Sequence, residues 1–161
     1  MSKAKSQSLV AIDSMILVWG IRKEGPEDRL ERAKWLFAKL DHDQSQIVVP
    51  SIVIAEYLSH VDVRKHAETI ELMNNRFIIS PFDVRAASLA ADLFRQGLEE
   101  RGDKGSPDGR KCLRADSLIV ATARSQGVSV FYSHDKHCRT MATRARMEAF
   151  DLPTTADNLF D

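Results

Sequence analysis

The chain has 161 residues, with 43% hydrophobic and 29% charged content. That excludes an intrinsically disordered chain and fits one domain with a single sizeable core. Formal net charge is zero, so the whole chain carries no basic footprint for nucleic acid.

Two cysteines, Cys112 and Cys138, are too few for a disulfide framework and make a reducing cytoplasm the expected location. Residues 1–8 are polar and read as a flexible tail, with residues 9–161 as one domain. The apolar run after the tail is short and holds Asp13, which argues against a signal peptide or a membrane span.

In chain order, residues 9–12 form a short apolar run that reads as a buried strand. Residues 15–21 suit a short helix. Residues 27–40 place Leu30, Ala33, Leu36, Phe37 and Leu40 on one helical face, with acids in the first turn. Residues 46–49 are a second strand, and Pro50-Ser51 opens a helix over 52–59. A helix over 63–73, a third strand over 77–80 and a long helix capped by Asp83 follow. The glycines and proline in 101–110 predict a loop, and 115–126 a helix closed by Gly127. A strand over 128–133, a helix over 137–147 and a short strand over 150–152 complete the chain. Strands alternating with helices predict a three-layer α/β/α sandwich with a central parallel sheet of four or five strands.

In such a sheet every strand ends at one edge, and each following helix begins there. Asp13 ends the first strand and Asp135 follows the fourth. Asp116 is expected at a helix start on that edge, and Glu56 lies within roughly 10 Å of it along its helix. Singly, each reads as an ordinary structural acid. Together they put four carboxylates on one rim, two of them in apolar surroundings where a charge is costly unless paired or metal-bound. An all-oxygen site suits a hard cation such as Mg²⁺ or Mn²⁺.

Four segments carry a resemblance. Val10-Ala11-Ile12-Asp13-Ser14, Pro50-Ser51-Ile52-Val53-Ile54-Ala55-Glu56, Ala115-Asp116-Ser117-Leu118-Ile119-Val120-Ala121-Thr122-Ala123 and Ser133-His134-Asp135 together resemble the PIN domain, whose single-domain bacterial members include VapC-type toxins. The resemblance implies Asp13, Glu56, Asp116 and Asp135 as metal-binding catalytic acids, with Ser14 and Ser133 in support. It implies a Mg²⁺- or Mn²⁺-dependent ribonuclease, an RNA substrate, an antitoxin partner and a homodimer. Two positions depart from the family pattern: Met15 replaces a common polar residue, and His137 replaces a common second acid after Asp135. The loss at His137 puts a second metal ion in doubt.

Residues 101–146 carry ten Lys or Arg against four Asp. Within this stretch Lys104, Arg110, Lys111, Arg114, Lys136 and Arg139 are candidate phosphate contacts, with a solvated face as the plainer reading. No aromatic stacking series accompanies them. A zinc site from Cys112, His134, His137 and Cys138 lacks paired C-x-x-C spacing. The rival from another class is a catalytically inactive PIN scaffold that binds RNA or a protein partner.

Overall fold

The structure, a computed structural model, describes residues 7–101 and 107–154. Its centre is a five-stranded parallel sheet of β1 (Leu9–Ile12), β2 (Gln46–Pro50), β3 (Ile78–Ser80), β4 (Val130–Tyr132) and β5 (Glu148–Phe150), in the order β3-β2-β1-β4-β5. The central strand β1 has three of its four residues buried, as a strand covered on both faces requires.

Helices fill the connections. After β1 come α1 (Ser14–Leu17), a π-helical turn (Val18–Arg22) and α2 (Glu27–His42). After β2 come α3 (Ser51–Leu58), a 3₁₀ turn (Val63–Lys65) and α4 (His66–Arg76). The pair α5 (Val84–Arg101) and α6 (Pro107–Ser125) links β3 to β4, and α7 (Lys136–Arg144) links β4 to β5. The apolar stripe on α2 buries Ala33, Leu36, Phe37 and Leu40 against the sheet. Asp83 caps α5 as the sequence predicts, its carboxylate accepting from Ala86 N at 2.9 Å.

The largest difference from the sequence reading is the start of α6. A loop through residue 110 was the expectation, but the helix already begins at Pro107. Proline costs nothing at a first helical position because its missing N–H has no partner there anyway. Asp108 in the first turn then faces the positive end of the helix dipole. Farther on, Gly97 of α5 lets the two helices close: a Cβ there would lie 2.5 Å from Leu113 Cδ1. Gly127 follows the helix at φ +79°, which fits its expected role in closing it. The fifth strand falls two residues earlier than expected, at Glu148–Phe150, which leaves Asp151 just beyond its end.

No described helix is long and apolar enough to cross a membrane. Most of the expected tail lies outside the described residues.

Candidate active site

Strand order decides where the site forms. The chain leaves β1 toward β2 on one side, and β4 lies on the other. The crevice at the carboxyl ends of β1 and β4 is therefore the switch point of the sheet, where open α/β folds bind ligands. Ile12 pairs with Tyr132, and Asp13 N continues the ladder by donating to Tyr132 O at 3.0 Å. This register sets Asp13 and Ser133 side by side.

Asp13 is 9% exposed, and its carboxylate is held from both ends. Oδ1 accepts from Ser14 N at 2.6 Å and from Ser14 Oγ at 3.2 Å, while Oδ2 accepts from Ser133 Oγ at 2.7 Å. The buried Ser133 hydroxyl also accepts from Asp135 N at 3.0 Å. Asp135 in turn caps α7, with Oδ1 accepting from His137 N at 2.7 Å and Cys138 N at 3.4 Å. A helix N-terminus favours negative charge at that point.

Glu56 lies half-buried on α3. Burial raises its pKa, the Ser14 hydroxyl partly offsets this by hydrogen bonding, and the Asp13 charge raises it further. Ser14 thus touches two acids. Asp116 is not at a helix start but roughly 13 Å along α6, counted at 1.5 Å per residue from Pro107. It nevertheless reaches the rim. The exposed first half of α6 gives way at Asp116 to a buried second half, from Ser117 to Ala123.

The four acids line one cleft of about 430 Å³, together with Ser14, Met15, Trp19, Cys112 and His134. The buried Cys138 thiol behind it registers three of them: burial raises its pKa well above the ordinary value, and the charges of Asp13, Asp116 and Asp135 add to the rise. Among the described residues no three His, Cys, Asp or Glu side chains stand grouped as a ready-made metal cage. The chemistry of the cleft nonetheless fits a hard divalent cation. Its donors are carboxylate oxygens, and the elevated pKa of Glu56 reflects burial and a neighbouring like charge, both of which a cation would counter. The zinc quartet does not assemble: Cys112 and His134 line the cleft, Cys138 is buried behind it, and His137 is not among the lining residues.

A second hollow of about 310 Å³ is lined by Arg110, Lys111, Arg114, Ala115 and Leu118. Ala115 lines both hollows, so the basic surface adjoins the acidic cleft. The Arg114 guanidinium lies 5.1 Å over the Phe94 ring, which fixes its direction. Lys136 is exposed in the first turn of α7. Lys104 lies outside the described residues. Arg139 is otherwise occupied: Nη1 donates to Ser133 O and to His134 O, each at 2.8 Å.

Sequence reasoning missed Asp151 and its pairing with His134 and Arg139. His134 Nδ1 lies 2.9 Å from Asp151 Oδ1, and the His134 ring meets Trp19 edge-on at 5.6 Å. Asp151 sits at the carboxyl end of a strand, as Asp13 does. Placing the fifth strand over 150–152 made Asp151 look like a strand residue and hid that signal.

The family described as "PIN domain" matches residues 10–143. No curated protein sequence matches the chain. Solved structures show the same fold. VapBC2 from Rickettsia felis, bound to a DNA fragment from its promoter, is 18% identical with a TM-score of 0.57, over 89% of this chain and 98% of that one. DNA-bound VapBC from Salmonella typhimurium has the same identity, 18%, and TM-score, 0.57, over 91% and 100%. FitAcB from Neisseria gonorrhoeae is 18% identical with a TM-score of 0.52, over 88% and 96%.

Proposed function

The chain belongs to the PIN-domain family, and on that premise we propose that it is a Mg²⁺- or Mn²⁺-dependent endoribonuclease whose metal-binding and catalytic acids are Asp13, Glu56, Asp116 and Asp135. The observation that carries the reading is the arrival of these four side chains, from β1, α3, α6 and the β4–α7 turn, in one cleft at the switch point.

Bound there, the divalent ion would make water acidic enough to attack near neutral pH and would offset charge growing on the phosphate during in-line displacement. The protein's part is orientation. Ser14 and Ser133 hold Asp13, and the α7 N-terminus holds Asp135. Glu56, with its raised pKa, is the acid best suited to orient the attacking water. Hydrolysis by water leaves a 5′-phosphate and a 3′-hydroxyl. Arg110, Lys111 and Arg114 on the adjoining face, with Lys136, would take flanking phosphates.

Likeness to VapBC assemblies supports a toxin role within a toxin–antitoxin pair, restrained by an antitoxin protein; the paucity of cysteines and the family resemblance extend the proposal to a cytoplasmic homodimer. Exposed apolar side chains such as Leu72, Phe82 and Val84 supply surface for such contacts.

The test is cleavage of a mixed single-stranded and structured RNA pool in Mg²⁺, Mn²⁺ or EDTA, beside Asp13→Asn and Asp116→Asn. Cleavage that requires metal and disappears in both variants is the expected result. Products ending in 2′,3′-cyclic phosphate would overturn water attack. A folded protein that binds the RNA without cutting it would establish the inactive scaffold instead.

A further inference from the structure

Four acids bring charge to the cleft, but the turn that carries the last of them, residues 133–135, is held from outside the cleft. Asp151 stands just past β5, the strand that pairs with β4. Its carboxylate can only accept, so the 2.9 Å contact with His134 places the hydrogen on Nδ1. The second carboxylate oxygen lies 3.7 Å from Arg139 Nη1. That same Nη1 donates to the carbonyls of Ser133 and His134. Asp151 therefore grips the turn twice, once through the His134 ring and once through the guanidinium that pins two consecutive carbonyls. Its own place is fixed by Leu152 N, which donates to Oδ1 at 2.7 Å. Burial raises the Asp151 pKa, but the hydrogen bonds from His134 and Leu152 and the charges of His134 and Arg139 more than offset this, so it is lowered on balance.

We propose that Asp151 is a positioning residue for the metal site: through His134 and Arg139 it fixes the 133–135 turn, and so sets Ser133 against Asp13 and aims Asp135 into the cleft. The inference rests on the four-acid reading of that cleft. The chain of contacts is continuous. The turn presents Ser133 Oγ to both Asp13 Oδ2 and Asp135 N, so a rotation of the turn would disturb two acids together. Partners that orient metal ligands in this way typically change metal affinity or activity by about 10–100-fold when removed. Arg32 provides an internal contrast. It approaches Asp151 at 3.6 Å but directs its hydrogen bonds to Leu152 O and Pro153 O, anchoring the segment after β5 without touching the turn.

The experiment counts Mn²⁺ bound to the RNA-free protein by electron paramagnetic resonance, alongside steady-state RNA cleavage and circular dichroism. Asp151→Ala is expected to weaken Mn²⁺ binding and lower kcat by about tenfold or more, with KM unchanged. Asp151→Asn, whose amide oxygen still accepts from His134 and Leu152, recovers part of both. Arg139→Met, which removes the grip on the two carbonyls, reproduces the loss. It carries the test if Asp151→Ala does not fold. Arg32→Met lowers melting temperature but leaves Mn²⁺ affinity intact. Wild-type Mn²⁺ affinity and kcat in both Asp151→Ala and Arg139→Met would overturn the proposal, as would an equal loss of affinity in Arg32→Met. Mn²⁺ binding that survives Asp13→Asn and Asp116→Asn would instead sink the four-acid reading, and the positioning role with it.

Discussion

The Ser133 hydroxyl donates to Asp13 Oδ2 at 2.7 Å although 120 residues separate the two in the chain. Ser133 Oγ also accepts from Asp135 N at 3.0 Å, so one fully buried hydroxyl ties the acid ending β1 to the acid capping α7. Removing it leaves a buried carboxylate oxygen and an amide each short of a partner. Ser133→Ala should cost about 1–3 kcal/mol of stability, since a lost hydrogen bond to a buried charged group costs that much. Its effect on catalysis should be larger than its effect on RNA affinity, with kcat falling about tenfold or more as a supporting partner of two proposed metal ligands disappears. Thermal unfolding and steady-state cleavage of the variant check the two halves separately. Equal kcat in Ser133→Ala and wild type would show that the bridge is structural alone.

Glu56 gives a prediction about pH. Its folded-state pKa is raised, by burial first and by Asp13 further, above an ordinary value of 4.5. The folded protein therefore holds this proton more tightly than the unfolded chain, and stability falls as pH rises from 4.5 through the folded value. Above that value the destabilisation is complete. In metal-free buffer Glu56→Gln should raise the melting temperature at neutral pH, and the gain should vanish below the window. Added Mg²⁺ should raise the melting temperature of the wild type more than that of Glu56→Gln, because ligand binding to the folded state stabilises it by mass action. Melting curves from pH 4 upward, with EDTA or Mg²⁺, are the measurement. A variant less stable than wild type at neutral pH without metal would contradict the assigned strain.

The acids were legible in the sequence because strand ends are legible. Asp13 closes an apolar run, Glu56 interrupts one, and Asp135 follows one. Asp116 does line the cleft, but not as a helix start: it marks the level at which α6 passes from solvent into the core. Pro107 and Gly109 have the composition of a loop, yet both sit in the first turn of α6, where a helix tolerates them. What stayed hidden depends on pairing between distant segments. Asp151 meets His134 only because β5 lies beside β4 in register. No local pattern announces that contact, and a two-residue error in the strand concealed it. Trp19 is buried with the core, yet it also lines the cleft against His134. Charge along the chain likewise grouped Arg139 with Lys136, whereas folding turns Arg139 onto backbone carbonyls.

The basic hollow beside the cleft should act on substrate binding and not on the chemical step. Lys111 is exposed and its ion pair with Asp108 is long, 3.8 Å, between two well-solvated side chains, so little holds it from a phosphate. Lys111→Ala should raise KM with kcat unchanged, and should reduce the slope of log affinity against log salt by about one, the signature of one lost phosphate contact. Arg114→Ala should do the same and also lose its stacking on Phe94. RNA titrations of an Asp116→Asn background across a salt series isolate binding from cleavage. An unchanged slope in both variants would move the RNA path off this face.

The two cysteines should separate cleanly by reactivity. Cys138 is fully buried, and burial together with three nearby carboxylates keeps its thiol protonated well past the ordinary range. A thiol attacks as thiolate, so Cys138 should be inert in the folded protein. Cys112 is exposed and lines the cleft one helical turn before Asp116. A disulfide reagent should therefore label Cys112 alone under native conditions, and both thiols after unfolding. Labelling Cys112 with a bulky neutral group should block cleavage by filling the cleft mouth, while Cys112→Ser should cut RNA normally and resist the reagent. Mass spectrometry of the labelled peptide, paired with cleavage assays, decides it. Native labelling of Cys138 would show that α7 opens, while full activity after Cys112 is labelled would place the reacting phosphate elsewhere.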